Sequence, residues 1–121
     1  MPEVPLPGRP VRGSRTGRPV MAALDLLGRR WALRVLWELR DGPLGFRVLQ
    51  QRCDGMSSSV LRDRLAELVA AGLVGSGEDG RYLLTDSGRS LRQALAPLAE
   101  WATAWAAGLE ATTDRSESGG G

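Results

Sequence analysis

Three consecutive serines followed by an arginine form the stretch of this sequence best equipped to bind another molecule. Ser57, Ser58 and Ser59 come soon after the turn residue Gly55, and Arg62 follows them. Serine hydroxyls and guanidinium groups donate hydrogen bonds to phosphate oxygens and to the edges of nucleic-acid bases. The chemistry indicated by this pattern is recognition of a polyanion.

The serines open a predicted helix that must present them to solvent. Ser57 is a typical N-cap and Gly72 suits the residue that ends a helix, which predicts a helix over residues 57–71. Its apolar side carries leucines at spacings of four and three, namely Leu61, Leu65 and Leu68. We therefore expect the serines, Arg62 and Glu67 to face solvent. Such a helix fits a DNA major groove, although an ordinary amphipathic helix has the same pattern.

Other arginines extend the basic character of this region. Arg47, before this helix, is a predicted phosphate contact, and Arg64 on the helix is a predicted phosphate contact or a charge that pairs helices. The net charge is +2, but residues 1–64 carry +6 and residues 65–121 carry −4, and every basic residue is an arginine. A basic half opposite an acidic half indicates a polyanionic partner for the first half.

The composition excludes several classes of protein. The chain has no histidine and a single cysteine, Cys53, so neither an internal disulfide nor a zinc site is predicted. Common nucleophile and base arrangements and a phosphate-binding glycine loop are also missing, so we expect no enzyme activity and no cofactor. The N-terminus has no signal-peptide pattern and no apolar window is long enough to span a membrane, which predicts a cytoplasmic protein.

The predicted elements form a helix-turn-helix followed by a hairpin. Two helices begin near Pro19 and Trp31, and a third, short helix carries Phe46, Leu49 and Cys53 on one face before the helix of residues 57–71. Two short strands, at residues 73–76 and 81–84, then flank an Asp79-Gly80 turn. This order predicts a winged helix. Phosphate would repel Glu78 and Asp79 at the tip of the wing, and of the wing residues only Arg81 could favour a contact with phosphate.

The last predicted helix, residues 86–109, carries an unbroken apolar seam that Pro97 should bend. The domain is too small to bury such a seam easily, so we expect this helix and the first one to pair with a second copy. The predicted fold is thus mostly α with a small β-hairpin: a winged helix-turn-helix domain over residues 19–109 with N- and C-terminal dimerisation helices. A disordered tail is expected at residues 110–121.

Residues 1–18 form a predicted basic, Pro/Gly/Arg-rich flexible arm. Its arginines recur at every third position, at Arg9, Arg12, Arg15 and Arg18. In a polyproline conformation they would share one face, which could follow a phosphate backbone or enter a minor groove. A solubilising tail has the same composition.

Four tryptophans are a high number for 121 residues: Trp31, Trp37, Trp101 and Trp105. Rigid aromatic faces at an interface could hold a flat aromatic effector, and they could equally pack in a core or in the dimer interface.

The chain resembles the HxlR-type winged-helix transcriptional regulators, which are relatives of the MarR group. The resemblance covers roughly residues 19–107 and rests on Leu24 to Trp31, Asp41 to Leu44 with Phe46, Met56-Ser57 leading to Val60 to Leu68, Gly72 to Val74, Tyr82 to Thr85 with Gly88, and Pro97 with Trp105. It implies a bacterial homodimeric regulator that reads a near-palindromic operator in double-stranded DNA with two copies of the helix 57–71.

The sequence departs from the family pattern at three places. Arg18 stands where many members carry a redox-sensing cysteine, so thiol sensing at that position is impossible. The wing is short and acidic, which argues against a minor-groove contact. The serine run replaces a basic or amide residue, which leaves Arg62 as the main candidate to read guanine.

Three functions remain open on the sequence. The first is a DNA-binding homodimeric regulator. The second is a sensor of a flat aromatic small molecule with a tryptophan-lined pocket at the dimer interface. The third is a protein-interaction winged helix that does not bind DNA.

Overall fold

The computed structural model describes residues 4–7 and 18–119, with side chains described up to residue 113. Within these ranges the elements follow in chain order: α1 Pro19–Leu27, α2 Ala32–Glu38, α3 Phe46–Arg52, α4 Ser58–Ala70, β1 Val74–Ser76, β2 Tyr82–Leu84 and α5 Asp86–Gly119. The chain divides into two compact units, Met1–Ser90 and Leu91–Gly121. The first unit contains the complete winged helix-turn-helix, so this part of the predicted fold is confirmed.

The core of the first unit is aliphatic and draws on both its helices and its hairpin. Its most deeply buried large side chains are Val35, Leu39, Leu49, Cys53, Leu61, Leu65, Leu68 and Val74. The leucine face predicted for the helix of residues 57–71 is thus the buried face of α4. On α1 the buried residues are Ala22 and Leu26, whereas Leu24 is 59% exposed.

A short antiparallel sheet forms the wing. β1 and β2 pair in the register Val74 with Leu84 and Ser76 with Tyr82. Leu44, between α2 and α3, adds a single bridge to Tyr82, with reciprocal backbone hydrogen bonds of 2.9 and 2.8 Å. No pattern in the sequence indicates this third strand position, because one residue is too short for an alternation of apolar and polar side chains.

Thr85 joins the end of α4 to the start of α5. Its hydroxyl Oγ1 donates to the carbonyl oxygen of Gly72 at 2.6 Å and accepts from the backbone N–H of Gly88 at 3.1 Å. The second bond is an N-cap interaction, so Thr85 caps the N-terminus of α5. Asp86 instead forms an ion pair with Arg89.

The last helix is longer than the sequence predicted. It continues to Gly119, whereas the apolar pattern ended near Leu109 and residues beyond it were expected to be disordered. Apolar periodicity reports burial of a helix face and gives no information about a helix that has no such face. Residues 110–119 contain no proline and only a final glycine, so the backbone can stay helical. Among the described residues, no helix is both long and apolar enough to cross a membrane.

Gly88 should be the least replaceable glycine of the first unit. A Cβ at this position would collide with the backbone carbonyl oxygen of Leu73, which cannot move aside like a flexible side chain. We expect Gly88→Ala to lower the free energy of unfolding by about 1–3 kcal/mol through overpacking. Gly108→Ala is the matched control, because nothing lies within 4 Å of its Cβ and α5 should tolerate or favour alanine. Urea unfolding of both variants measures the difference, and equal stabilities would contradict the steric argument.

Candidate nucleic-acid interface

The N-terminus of α4 presents the serine run to solvent, as the sequence predicts. Ser57 is the N-cap, and its Oγ accepts from the backbone N–H of Val60 at 3.2 Å. Ser58 and Ser59 are exposed in the first turn. Free backbone amides and hydroxyls therefore meet at the positive end of the helix dipole, which is a favourable place for a phosphate oxygen.

Gln50 of α3 ties this N-terminus to the preceding helix. Its side-chain Nε2 donates to the carbonyl oxygen of Met56 at 2.9 Å and to Ser58 Oγ at 3.0 Å. The bond to Gln50 uses an acceptor site of the Ser58 hydroxyl and leaves its hydrogen able to donate outward. The tight turn between the helices contains Asp54 and Gly55, with φ values of 58° and 68°.

Arg34 of α2 also contacts the turn between α3 and α4. Its Nη2 donates to the carbonyl oxygen of Arg52 at 2.7 Å, and its Nη1 lies 3.4 Å from Asp54 Oδ2. Its Nε also pairs with Glu38 at 2.8 Å, and this bond is the main reason that the pKa of Arg34 is raised. The arginine thus satisfies the last turn of α3 and holds the turn against α2.

Two of the predicted basic residues are exposed beside the serines. Arg62 lies one turn along α4 from the serine run, and Arg47 lies in the first turn of α3. The guanidinium carbon of Arg62 is 5.4 Å from the centre of the Phe46 ring. A guanidinium and a positive helix end are thus available on one side of the helix-turn-helix.

Arg64, predicted as a phosphate contact or as a charge that pairs helices, does not join this exposed set. Its side chain is 18% exposed, and its Nη1 lies 3.3 Å from Oε2 of Glu67. The other oxygen of Glu67, Oε1, is 3.0 Å from Nη1 of Arg29. Glu67 itself is 6% exposed, although the sequence placed it on the solvent side. An arginine held by a buried carboxylate is turned away from solvent and serves the packing of α4.

The wing carries its own internal ion pair. Arg81 Nε lies 2.6 Å from Oδ2 of Asp79, and the backbone N–H of Arg81 donates to Oδ1 of the same carboxylate at 3.0 Å. These hydrogen bonds lower the pKa of Asp79, so it stays ionised. Arg81 is exposed but already has a counter-ion, and Glu78 adds a further negative charge at the tip. The wing is therefore a weak partner for phosphate.

The tryptophans are distributed over both units. In the first unit Trp31 and Trp37 lie at opposite ends of α2, each with its own arginine: Arg30 at 5.9 Å and Arg40 at 4.2 Å from the ring centre. In the second unit Trp101 and Trp105 stack with ring centres 5.4 Å apart and planes 13° apart. Within the first unit the predicted tryptophans thus lie beside arginines, and within the second they form a stacked pair.

Some predictions concern residues that the structure does not describe. Of the four arginines predicted to follow DNA, Arg9, Arg12 and Arg15 lie outside the described residues, and Arg18 is exposed just before α1. Within residues 4–7, Pro5 is buried. The described part of the chain has no group of histidine, cysteine and carboxylate side chains that could hold a metal ion.

The sequence did not indicate the contacts of three residues that lie in or behind the candidate interface. Gln50 and Phe46 act through contacts between α3 and α4, which no periodicity reports. Glu67 carried a usable signal, because Arg64 precedes it by three positions and such pairs are neighbours on a helix. Cys53 was assigned correctly to the core, and its burial raises the pKa of its thiol.

The fold and this exposed helix define a winged helix-turn-helix DNA-binding protein. Residues 26–110 match the model of the HxlR-like helix-turn-helix family. The HTH-type transcriptional regulator YvaP of Bacillus subtilis is 32% identical over 89 residues, which cover 69% of this chain and 82% of YvaP. The chain therefore belongs to the HxlR-like family of transcriptional regulators, which are not enzymes.

Solved structures agree with this membership. Quinone-bound YodB from Bacillus subtilis is similar with a TM-score of 0.66 and 30% identity, over 69% of this chain and 94% of YodB. A MarR-family regulator from Enterococcus faecalis gives a TM-score of 0.67 and 31% identity, over 75% of this chain and 88% of that protein. The resemblance that the sequence motifs carried is confirmed.

Removing the buried carboxylate should destabilise the protein more than removing its exposed neighbour. Glu67→Ala takes away the acceptor that neutralises Arg64 and Arg29 in a largely buried setting, so we expect a loss of about 3 kcal/mol in the free energy of unfolding. Asp63→Ala is the matched control, because Asp63 is an exposed acid of the same helix. Denaturant unfolding gives both values, and a Glu67 variant as stable as the Asp63 variant would contradict a structural ion pair.

Proposed function

We propose that the protein is a homodimeric transcriptional regulator that places two copies of α4 in successive major grooves of a near-palindromic DNA duplex. The observation that supports this most directly is the division of α4 into two sides. Leu61, Leu65 and Leu68 are at most 2% exposed, whereas the serine run and Arg62 face solvent. Two-fold symmetry then requires half-sites about 34–36 Å apart.

In this proposal the exposed groups contact different parts of the DNA. The amides of the first turn with Ser57, Ser58 and Ser59 bind phosphate oxygens and nearby base edges. Arg62 reads a guanine through its O6 and N7 atoms, and Arg47 binds a backbone phosphate. Arg81 contributes little, because Asp79 neutralises it, and Arg64 has no direct role.

The second unit supports the dimer. A stripe of large apolar side chains on α5 is about half exposed in the single chain: Leu98 at 49%, Trp101 at 58%, Trp105 at 55% and Leu109 at 52%. The steps of three and four along the helix place them on one face, which is the pattern of a helix that packs along another helix. On α1, Val20 and Leu24 are similarly exposed at 62% and 59%, as expected of the other predicted dimerisation helix.

The stacked tryptophans favour the dimer over a tryptophan-lined effector pocket. YodB binds quinone, which keeps a flat aromatic effector as the second candidate function. However, the facing sides of Trp101 and Trp105 already contact each other, so a flat molecule would have only their outer faces. A second copy of α5 can cover those faces together with Leu98 and Leu109.

The roles of two exposed arginines can be separated on DNA. Arg62→Ala should cost about 1–3 kcal/mol on the preferred duplex and relax the choice of base at one position per half-site. Arg47→Ala should weaken binding to all duplexes alike and reduce the slope of log affinity against log salt by about 0.9 for each phosphate that is no longer neutralised. Selection from randomised duplexes, followed by salt titrations, measures both effects. Equal losses on every sequence for both variants would contradict the division of work, and absence of any DNA binding would favour the protein-interaction alternative.

The dimer can be tested by placing a charge in the apolar stripe. Trp105→Arg should convert the protein to a monomer at micromolar concentration, because a buried unpaired guanidinium opposes association. Trp37→Arg is the matched control, because Trp37 is equally exposed, at 52%, but lies on α2. Size-exclusion chromatography with light scattering gives the masses. A wild-type monomer under these conditions would rule out the proposed assembly.

A further inference from the structure

The side chain of Arg62 rests over an aromatic ring that belongs to the other helix of the helix-turn-helix. The guanidinium carbon is 5.4 Å from the centre of the Phe46 ring, within the distance at which a cation is attracted by the face of an aromatic ring. Phe46 is partly buried and is the first residue of α3. Neither packing of the core nor binding of phosphate accounts for this contact.

The backbone on both sides of Phe46 is held by hydrogen bonds. Gly45 is the N-cap of α3 and has an extended backbone. The backbone N–H and carbonyl oxygen of the adjacent Leu44 are both hydrogen-bonded to the backbone of Tyr82 in the wing. One turn further, the backbone N–H of Leu49 donates to the carbonyl oxygen of Gly45 at 3.0 Å. Gln50 also links α3, which carries the ring, to the N-terminus of α4, which carries the arginine.

A ring face next to an exposed arginine restricts the orientations of its guanidinium group. A free arginine has many rotamers and loses them when it binds a base, which weakens its discrimination. A guanidinium held over a ring face has fewer orientations and keeps its N–H donors available for both O6 and N7 of guanine. Lysine lacks the planar group, so the contact also explains why arginine suits this position.

We propose that Phe46 is a positioning residue that orients Arg62 for guanine and thereby sets the sequence preference of α4. This inference rests on the proposed function, because it assumes that Arg62 reads a base. Phe46 stays off the DNA in this account and acts through the arginine alone. Its loss should reduce the preference for guanine at one position per half-site by about two- to fivefold, which corresponds to the strength of an exposed cation–π contact.

Phe46 is the single phenylalanine of the chain, which permits a test that leaves the fold intact. Protein grown with 4-fluorophenylalanine or 3,4,5-trifluorophenylalanine changes this ring alone, and each fluorine weakens the attraction for a cation with little change in volume. Base preferences are measured by selection from randomised duplexes for wild type, both fluorinated proteins, Phe46→Leu, Phe46→Tyr, Arg62→Ala and Phe46→Leu with Arg62→Ala. Melting temperatures and salt slopes are recorded for each protein.

We expect the guanine preference to fall in order with the number of fluorines and to fall again in Phe46→Leu. The preference should persist in Phe46→Tyr. The salt slope should stay unchanged in all of these Phe46 variants. The double variant should behave like Arg62→Ala alone, because the ring has no other route to the base. If Arg62→Ala loses the preference while the fluorinated and leucine proteins keep it, Phe46 has no positioning role and the proposed function stands. If Arg62→Ala keeps the preference, the base-reading role of Arg62 fails, and the inference fails with it.

Discussion

Burial of one side of α4 is the constraint on which the rest of this protein depends. Leu61, Leu65 and Leu68 lie in the core, and this fixes the rotation of the helix about its own axis. Because a helix turns by a constant angle per residue, the same packing fixes the outward direction of the serine run and Arg62. The hydrogen bonds of Gln50 and Arg34 hold the turn between α3 and α4. The exposure of the serines is thus a consequence of how the core is packed.

Fewer arginines are available to contact phosphate than the composition indicates. Arg29 and Arg64 share one buried carboxylate, Arg34 is used by the turn between α3 and α4, and Arg81 is paired within the wing. Each of these side chains keeps its charge but has donors committed inside the protein. Among the positions named for DNA binding in the described helices, Arg47 and Arg62 are the exposed arginines. The number of arginines in the sequence therefore overstates the number of guanidinium groups that can contact phosphate.

The sequence predicted the order of elements well because each helix and the hairpin carry local signals. Ser57, the leucine spacing and the Asp79-Gly80 turn act over a few residues, and the structure has all three features in place. Such local signals do not predict the contacts between elements. The burial of Glu67 depends on Arg29 from another part of the chain, and the contact of Phe46 with Arg62 depends on the angle between two helices. The exposure of Leu24 shows that an apolar residue can lie on the outer face of α1.

The hydroxyl of Thr85 gives α4 the geometry of a lever. This one group joins the carbonyl of Gly72, just beyond the end of α4, to the first turn of α5. The 13 residues of α4 span about 20 Å at 1.5 Å per residue, so the serines lie far from this pivot. A tilt of about 10° at the threonine would displace the opposite tip of the rod by about 3.5 Å, more than the length of a hydrogen bond. A modest tilt at the root of the long helix would thereby be magnified at the exposed serines.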